Sequence, residues 1–225
     1  MAPEYKAIPL NPPAPMADSE MERTAADYLA KMATRHSVRE FSAQPVPLSV
    51  IEACIATAGR APSGANQQPW HFVAVQSSEM KAKIREAAEV EEEAFYAGGG
   101  GDTWIAALEP LGTGVEKPHL TTAPWLIVIF AQRYGELPNG GRQKHYYVPE
   151  SVGIATGFLI SALHHAGLSC LTHTPNPMKF LNPLLGRPKS EKPVMILVVG
   201  HPAKDAVYPA ASTRKKPLPE ILTVR

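Results

Sequence analysis

The chain has 225 residues, a length that fits one domain with extensions and can bury a sizeable core. Its formal net charge of +1 gives no reason to expect nucleic acid or an anionic membrane as a partner. Two cysteines, Cys54 and Cys170, exclude a disulfide framework and a four-cysteine metal site, and their apolar surroundings suit a reducing, cytoplasmic setting. The apolar stretches are well short of the ~20 residues that span a bilayer, and the N-terminus does not resemble a signal peptide. We therefore expect a soluble protein.

The N-terminal part of the chain divides into an arm and the start of a folded domain. Residues 1–18 are proline-rich and lack periodicity, which predicts an extended arm, whereas 19–225 are predicted to form one domain. The first helix is predicted over 19–33. It is followed by Arg-His-Ser-Val-Arg at 35–39, and two guanidiniums, an imidazole and a hydroxyl this close together suit an anion such as phosphate. The alternative is a basic surface turn.

A polar, glycine-containing loop follows the second predicted helix. That helix is predicted over 49–58, with Ser49 as its N-cap and Gly59 at its end. The loop, RAPSGANQQPW at 60–70, has small residues that let the backbone approach a ligand and direct N–H groups towards it. An ordinary surface loop remains an alternative. A strand is predicted over 71–76 and a helix over 79–93.

The stretch 86–117 combines a dense acidic pattern with a run of four glycines at 98–101. A packed domain has little structural use for four consecutive glycines, because each adds backbone entropy that folding must overcome. We therefore predict a lid that orders over a ligand. Glu92 and Tyr96 would share one helix face, and Lys117 closes the segment. The alternative is a solvated acidic helix followed by a flexible loop.

The second half of the sequence predicts alternating strands and helices. Strands are predicted over 123–131, 168–174 and 194–200, a long buried helix over 150–166 and a short helix over 178–185. We interpret 135–149 as a polar loop and the proline-rich tail, 201–225, as an extension. Small residues in the long helix would allow another element, such as a second subunit, to approach. The strand that ends in Thr-His-Thr would place Thr172 and Thr174 on one face, because side chains alternate along a strand.

These motifs together resemble the flavin-dependent nitroreductase superfamily and, within it, the iodotyrosine deiodinases. The resemblance rests on RHSVREF at 35–41, APSGANQQPW at 61–70, EEEAFY at 91–96, Lys117, HYY at 145–147, THTP at 172–175, LLGRP at 184–188 and Arg214. It covers about 35–219, and the order and spacing of the motifs are more specific than any one of them.

The resemblance implies an α+β fold of the nitroreductase type, with a mostly antiparallel sheet flanked by helices. It also implies FMN as the cofactor and an intertwined homodimer that shares two FMN sites. The residues that match its FMN-binding positions are Arg35, His36, Ser37, Val38, Arg39, Ser63, Gly64, Thr172, His173, Thr174 and Arg214. In the substrate site, the N–H of Ala65 matches a contact to the phenolate oxygen, and Glu92, Tyr96 and Lys117 match a set that grips the amino-acid end. No metal ligand is implied.

The activity implied by the resemblance is FMN-dependent reductive dehalogenation of halotyrosines, such as iodotyrosine to tyrosine and iodide. Thr174, as the catalytic residue, would donate a hydrogen bond to flavin N5 and favour stepwise one-electron transfer. Electrons would come from NAD(P)H through a separate reductase. The alternatives are a broad NAD(P)H-dependent nitroreductase or quinone reductase, a flavin-fragmenting enzyme, and a non-catalytic sensor of halotyrosine or flavin.

The sequence also departs from the family pattern. His36 stands where an arginine is common, and His173 interrupts a run of threonines. The glycines at 98–101 would make the lid looser than is usual in the family. The membrane anchor of the animal members is absent from the sequence, which suits a soluble bacterial member.

Overall fold

The computed structural model describes residues 5–137 and 140–225. The first four residues of the predicted arm and residues 138–139 of the predicted polar loop lie outside the described residues. The chain forms two compact units, Met1–Thr34 and Arg35–Arg225. In the first unit, an irregular segment leads into helix α1, Asp18–Ala33, one residue longer than predicted and without a buried residue. The domain boundary at residue 18 stays a prediction.

The second unit is built on a four-stranded sheet in the order β1-β2-β6-β5, and every neighbouring pair of strands is antiparallel. The strands are β1 (Trp70–Val75), β2 (Trp125–Gln132), β5 (Ser169–His173) and β6 (Glu191–Gly200). Helices flank this sheet, which confirms the predicted α+β class.

The central strand β2 separates two hydrophobic cores. Trp125, Ile127 and Ile129 point to one core, and Leu126 and Phe130 point to the other. Because successive side chains of a strand point to opposite faces, a continuously apolar strand must be covered on both sides. This is the reason that the run at 123–131 is apolar without alternation.

One helix layer covers each face of the sheet. Helices α2 (Leu48–Ala58) and α6 (Val148–His165) pack together on the first core. Helices α3 (Ser78–Ala94), α5 (His119–Thr122) and α7 (Leu181–Leu184) contribute side chains to the second core. No helix within the described ranges is long and apolar enough to cross a membrane.

The structure corrects three local predictions. Helix α2 begins at Leu48 with Pro47 at its N-cap, and no side chain caps it, so Ser49 is not the N-cap. The short helix predicted over 178–185 is only α7, Leu181–Leu184. Strand β6 begins at Glu191, three residues before the predicted start. The prediction missed these residues because Glu191 and Lys192 are polar and Pro193 is unusual inside a strand. Next to Pro193 the pairing with β2 shifts between Ile129 and Phe130.

The predicted polar loop at 135–149 contains a small hairpin. Strand β3 (Tyr134–Glu136) pairs antiparallel with β4 (Arg142–Lys144). Helix α6 then begins at Val148, two residues before the prediction. The hairpin was missed because its strands are three residues each and its side chains are polar, so neither has an apolar period.

Candidate active site

A cavity of about 380 Å³ lies between the segment 92–119 and the end of strand β5. Its lining includes all three residues predicted to grip an amino acid (Glu92, Tyr96, Lys117) and the Thr-His-Thr run. The remaining lining residues are Arg39, Glu40, Phe95, Trp104, Leu108, Gly112, Thr113, Gly114, Glu116, Pro118, His119, Leu171 and Asn176. The cavity therefore joins the two parts of the predicted site that come from the middle and the end of the chain.

The segment that covers this cavity is helical rather than a flexible loop. Helix α3 continues into a single π turn, Phe95–Gly99, which is followed by α4 (Asp102–Leu108) and a 3-10 turn, Glu109–Leu111. π turns are rare and occur mostly at functional sites.

Each of the four glycines has a structural reason, contrary to the expectation that a packed domain has little use for them. Gly98 and Gly101 have positive φ values of 117° and 72°. A Cβ at Gly99 would lie 2.7 Å from the carbonyl oxygen of Ala94, and one at Gly100 would clash with the Phe95 ring. The run therefore builds the sharp turn from α3 into α4.

The polar groups of the clamp residues, which we define as Glu92, Tyr96 and Lys117, satisfy one another within the chain. The Lys117 ammonium lies 2.9 Å from Glu92 Oε2, and the two side chains are only 7% and 14% exposed. Lys117 Nζ also donates to the carbonyl of Gly114 and lies 5.7 Å from the centroid of the Tyr96 ring. The Tyr96 hydroxyl is hydrogen-bonded to Thr113 Oγ1 at 2.7 Å. The predicted set is thus assembled, with each member already partnered.

Helix α3 positions Lys117. The backbone N–H of Lys117 donates to Glu89 Oε1 at 2.6 Å, and the same carboxylate accepts from Arg85 Nε at 2.8 Å. Burial would raise the pKa of Glu89, but the hydrogen bonds from Lys117 and Arg85 outweigh it and lower the pKa. Lys81, which is buried, donates to the carbonyl of Ala123 at 2.7 Å and so ties the end of α5 to α3. The position of Lys117 is therefore fixed by contacts with α3 and α5, and it does not depend on the glycines at 98–101.

The end of β5 exposes two hydroxyls, as the alternation predicts. Thr172 and Thr174 are exposed and His173 is buried. The basic run at 35–39 lies alongside this strand, since Ser37 pairs in parallel with Cys170. Arg39, two residues further on, lines the same cavity.

The guanidinium of Arg39 is a partly buried charge that is available to a ligand. Burial lowers its pKa from the usual value, an effect that Tyr96 opposes. Within residues 5–137 and 140–225, Arg39 forms no ion pair. A desolvated cation without a counter-charge favours binding of an anion.

His173 and His119 form a buried pair that the sequence did not predict as a pair. Their ring centroids are 5.6 Å apart in an edge-to-face arrangement, and neither Nε2 atom has a hydrogen-bond partner in the described part of the chain. Burial, followed by nearby positive charge, lowers the pKa of His119 to about 4. Burial, His119 and Lys117 lower that of His173 to about 3. Both rings are therefore neutral, and the predicted cofactor contact of His173 would have to come from its backbone.

The loop at 61–68 has an unusual backbone. Ala65, Asn66 and Gln68 have φ values of 50°, 53° and 49°, in the left-handed region that non-glycine residues rarely adopt. Such conformations cost on the order of 1–3 kcal/mol each and cluster at functional sites. The strained backbone makes this loop a candidate for ligand binding.

Hydrogen bonds from outside the loop hold it in this conformation. Ser151 Oγ accepts from the N–H of Gly64 at 3.3 Å, and Gln67 donates to the carbonyl of Lys144 at 3.2 Å and accepts from the N–H of Tyr146 at 2.7 Å. A Cβ at Gly64 would lie 2.8 Å from the Tyr146 carbonyl oxygen. Glycine is needed here because the chain segments approach so closely.

The structure does not bring every predicted residue to the cavity. Ser63, Gly64 and Ala65 are absent from its lining. The His36 ring stacks on Tyr208 with centroids 3.8 Å apart. Arg214 follows a 3-10 turn in the tail and is exposed. Arg35, His36, Ser37 and Val38 lie next to β5 but do not line the cavity.

Two further classes of site find no support in the geometry. The thiols of Cys54 and Cys170 are free and buried, and burial raises the pKa of Cys170 to about 11, so neither is a reactive thiolate. No group of three His, Cys, Asp or Glu side chains that could hold a metal gathers in the described ranges.

Comparison with known proteins decides the family. The sequence profile of the Nitroreductase family matches residues 32–201. An iodotyrosine deiodinase of Haliscomenobacter hydrossis is 50% identical over 197 residues, which cover 88% of this chain and 89% of that protein. The chain belongs to the nitroreductase family, among the iodotyrosine deiodinases.

Other iodotyrosine deiodinases agree with this assignment. Iodotyrosine deiodinase 1 of Homo sapiens is 44% identical, over 91% of this chain and 71% of that protein. The crystal structure of an oxidised iodotyrosine deiodinase bound to FMN and 3-iodo-L-tyrosine has a TM-score of 0.74 and 28% identity, over 88% of this chain and 97% of that chain. These results confirm the predicted family and nitroreductase fold.

Proposed function

We propose that this protein is an FMN-dependent oxidoreductase that removes halogen reductively from halotyrosines. The observation that carries the proposal is one cavity lined both by a largely buried ion pair, Glu92 and Lys117, and by the exposed residues Thr172 and Thr174. One end of this cavity suits a zwitterion, and the other suits a polar cofactor.

The residues present fit FMN. Its phosphate needs cations without a counter-charge, and Arg39 is such a group at the cavity. Its ring needs backbone and hydroxyl donors, which Thr172, Thr174 and the strained loop around Gly64 can offer. When bound, FMN supplies the electrons, which we propose are passed one at a time. We assign Thr174 as the catalytic residue that donates a hydrogen bond to flavin N5.

The substrate is recognised by an exchange of partners in the clamp residues. A free amino acid carries an ammonium, which Glu92 accepts, and a carboxylate, which Lys117 and the Tyr96 hydroxyl bind. In the structure Glu92 and Lys117 bind each other. The substrate therefore inserts between them, and each buried charge keeps a partner throughout. A halophenol without the amino-acid group cannot make this exchange, so the clamp selects the zwitterion.

We propose that the site is completed by a second copy of the chain. The loop carrying Ser63, Gly64 and Ala65 is predicted to contact the cofactor and the phenolate but does not line the cavity of its own subunit. Helix α6 exposes Ile154 and Phe158, which suit a subunit interface. A homodimer in which the loop of one subunit reaches the cavity of the other would satisfy both observations.

We further propose that the electrons come from NAD(P)H through a separate reductase and that the protein is cytoplasmic. The helical lid over the cavity supports a donor that passes electrons without entering as a bulky dinucleotide. The free, buried thiols of both cysteines support a reducing compartment.

The experiment that tests the function is anaerobic. Purified protein loaded with FMN is reduced chemically, and 3-iodotyrosine is added. Release of tyrosine and iodide in a 1:1 ratio to reduced flavin is expected. Turnover of nitroaromatics far faster than deiodination would instead support a broad nitroreductase, and stable binding of iodotyrosine without iodide release would support a sensor.

A further inference from the structure

An exposed basic surface lies at the end of the sheet where β1 begins and β2 ends. It comprises Arg133, Arg142, Lys144, Lys189 and Lys192, all exposed, and we call it the basic end. Its members come from three chain segments that the sheet brings together. Lys192 of β6 is in register with Ala131 of β2, and Lys144 of β4 is in register with Tyr134 of β3.

The basic end has more cations than nearby carboxylates, although Glu136 of β3 is in register with Arg142 of β4. Glu191 is buried and bound by Arg187 through two contacts of 2.7 and 2.6 Å, so this carboxylate is balanced internally. In the sequence around the hairpin, the other acidic residues are Glu136 and Glu150. The stretch 86–117 is by contrast strongly acidic, so a near-neutral chain has two oppositely charged regions.

The basic end is held by specific contacts. The Arg142 guanidinium lies 4.5 Å from the centroid of the Tyr134 ring, a cation–π contact across the hairpin. His145 donates its backbone N–H to the carbonyl of Arg133 at 3.1 Å, and its Nδ1 lies 2.9 Å from the carbonyl oxygen of Gln132. These contacts therefore constrain Arg142 and the backbone that carries Arg133, which reduces the entropy lost when a partner binds.

The basic end also adjoins the strained loop that we assign to the cofactor. The side chain of Gln67 bonds to the backbones of Lys144, the last residue of β4, and Tyr146, which lies two residues beyond it. Tyr146 and Tyr147, beside the loop, are 53% and 70% exposed. Because we propose that the loop reaches a second subunit, these tyrosines belong to the region where two subunits would meet, and the basic end borders that region.

We infer that the basic end docks an acidic one-electron carrier protein of the ferredoxin or flavodoxin class. This proposal rests on the FMN-dependent function proposed above. Two reduced carriers in turn each give up one electron and are oxidised, and FMN takes up both electrons together with one proton from solvent. The charge complementarity steers the acidic carrier to the side of the molecule where the loop approaches the cofactor.

The test uses FMN-loaded full-length protein and a reduced acidic [2Fe–2S] ferredoxin as the probe. Flavin reduction is followed by stopped-flow absorbance at low and high ionic strength. The variant Arg133→Glu/Lys144→Glu is compared with Lys6→Glu/Arg23→Glu, which has the same charge change on exposed positions of the N-terminal unit. We expect the first variant to be reduced about ten-fold or more slowly at low ionic strength and the second to match the wild type.

Two further readouts separate docking from folding and from the proposed function. Reduction by dithionite and the later release of tyrosine from iodotyrosine should be equal in all three proteins. Isothermal titration of oxidised ferredoxin should show weaker binding only to the Arg133→Glu/Lys144→Glu variant, both with and without FMN.

The inference is overturned by equal ferredoxin rates in all three proteins, or by rates that do not depend on salt. It is also overturned if duplex DNA or anionic vesicles bind the basic end as tightly as ferredoxin does while ferredoxin reduction is insensitive to the substitutions. Failure of iodide release with intact ferredoxin docking would instead count against the proposed function alone.

Discussion

The lid segment, 92–119, and the loop at 61–68 differ in what fixes their conformation. In the lid segment, the clamp residues are satisfied within the chain, most clearly in the 2.9 Å contact between Lys117 and Glu92. In the loop, the backbone is held in a costly conformation at Ala65, which is maintained by the hydrogen bonds that Gly64 donates to Ser151 and Gln67 donates to Lys144. On the proposed function, the lid exchanges partners when a ligand enters, whereas the loop needs no such exchange.

The difference indicates where specificity and where affinity arise. Opening the ion pair of the clamp costs free energy, and only a ligand that supplies both opposite charges regains it. The clamp therefore discriminates between ligands. A preorganised loop loses little entropy on binding, so it increases affinity for whatever fits. We therefore expect substitutions in the lid to change which substrate binds, and substitutions in the loop to change how well the cofactor binds.

Of the substitutions proposed here, Glu92→Gln should have the largest effect, and it acts on substrate binding by the clamp. It leaves the ammonium of Lys117 buried without a counter-charge and removes the acceptor for the substrate ammonium. Iodotyrosine binding should weaken roughly 10- to 150-fold, the range expected for a charge-assisted hydrogen bond. Titration of flavin fluorescence measures it, with Glu93→Gln on an exposed position of the same helix as the matched control. Equal weakening for iodophenol and iodotyrosine would contradict the clamp.

Gly64→Ala should disturb the conformation of the loop at 61–68. The added methyl would lie 2.8 Å from the Tyr146 carbonyl oxygen, and relieving such an overlap costs about 1–3 kcal/mol. FMN affinity should fall by about ten-fold or more, and iodotyrosine should bind unchanged to the protein that retains FMN. Gly59→Ala, where the atom nearest to the added methyl is 3.3 Å away at the end of α2, is the milder comparison. Unchanged FMN affinity in Gly64→Ala would argue against preorganisation.

The buried histidines predict how stability depends on pH. Their folded-state pKa values of about 4 and about 3 lie below the ordinary value of 6.5, so the unfolded chain binds more protons between pH 6.5 and these values. Stability should therefore be complete above pH 6.5 and decrease as the pH falls, by about 1–2 kcal/mol for each ring at pH 5.

His173→Gln replaces one ring with a neutral group that does not titrate. Its free energy of unfolding, measured by denaturant titration from pH 7 to pH 5, should decrease less steeply than that of the wild type. The slope is the readout, so a constant loss of stability does not obscure it. Identical slopes would show that His173 is not buried in its neutral form.

Thr174→Ala should have the smallest effect, of the order of a few-fold. One neutral hydrogen bond contributes about 0.5–1.5 kcal/mol. Deiodination should slow relative to the reduction of a nitroaromatic by the same protein, because only the former is proposed to need single-electron transfer. Thr172→Ala, which removes the neighbouring exposed hydroxyl, is the matched comparison. A proportional loss of both activities would refute a specific role for Thr174.

Patterns with a strong period were predictable from the sequence, and an isolated residue outside any pattern or motif, such as His119, was not. The apolar run of β2 indicated a doubly covered strand, and Thr172 and Thr174 were placed on one face by alternation alone. Strand order could not be derived, because an antiparallel sheet leaves no signature of which strand neighbours which. His119 was missed because a single histidine forms no sequence motif. Only the fold brings it next to His173.

The glycine run shows why an argument from average composition can misjudge a segment. Entropy argued against four glycines in a packed structure, and the lid was predicted on that ground. The structure instead uses the run for two positive φ values and two close approaches in an ordered turn. Sequence composition reports the average cost of glycine, whereas a turn depends on the conformation at each position.

The most direct test of the central claim, that the clamp exchanges its internal ion pair for a zwitterion above FMN, is single turnover of reduced protein. FMN-loaded wild type and Glu92→Gln are reduced anaerobically and mixed with either 3-iodotyrosine or 2-iodophenol, and tyrosine or phenol and iodide are quantified. The account predicts stoichiometric iodide from iodotyrosine in the wild type, a large loss in the variant, and little difference between the two proteins with iodophenol. Equal iodide from both substrates in the wild type, or an unimpaired variant, would contradict it.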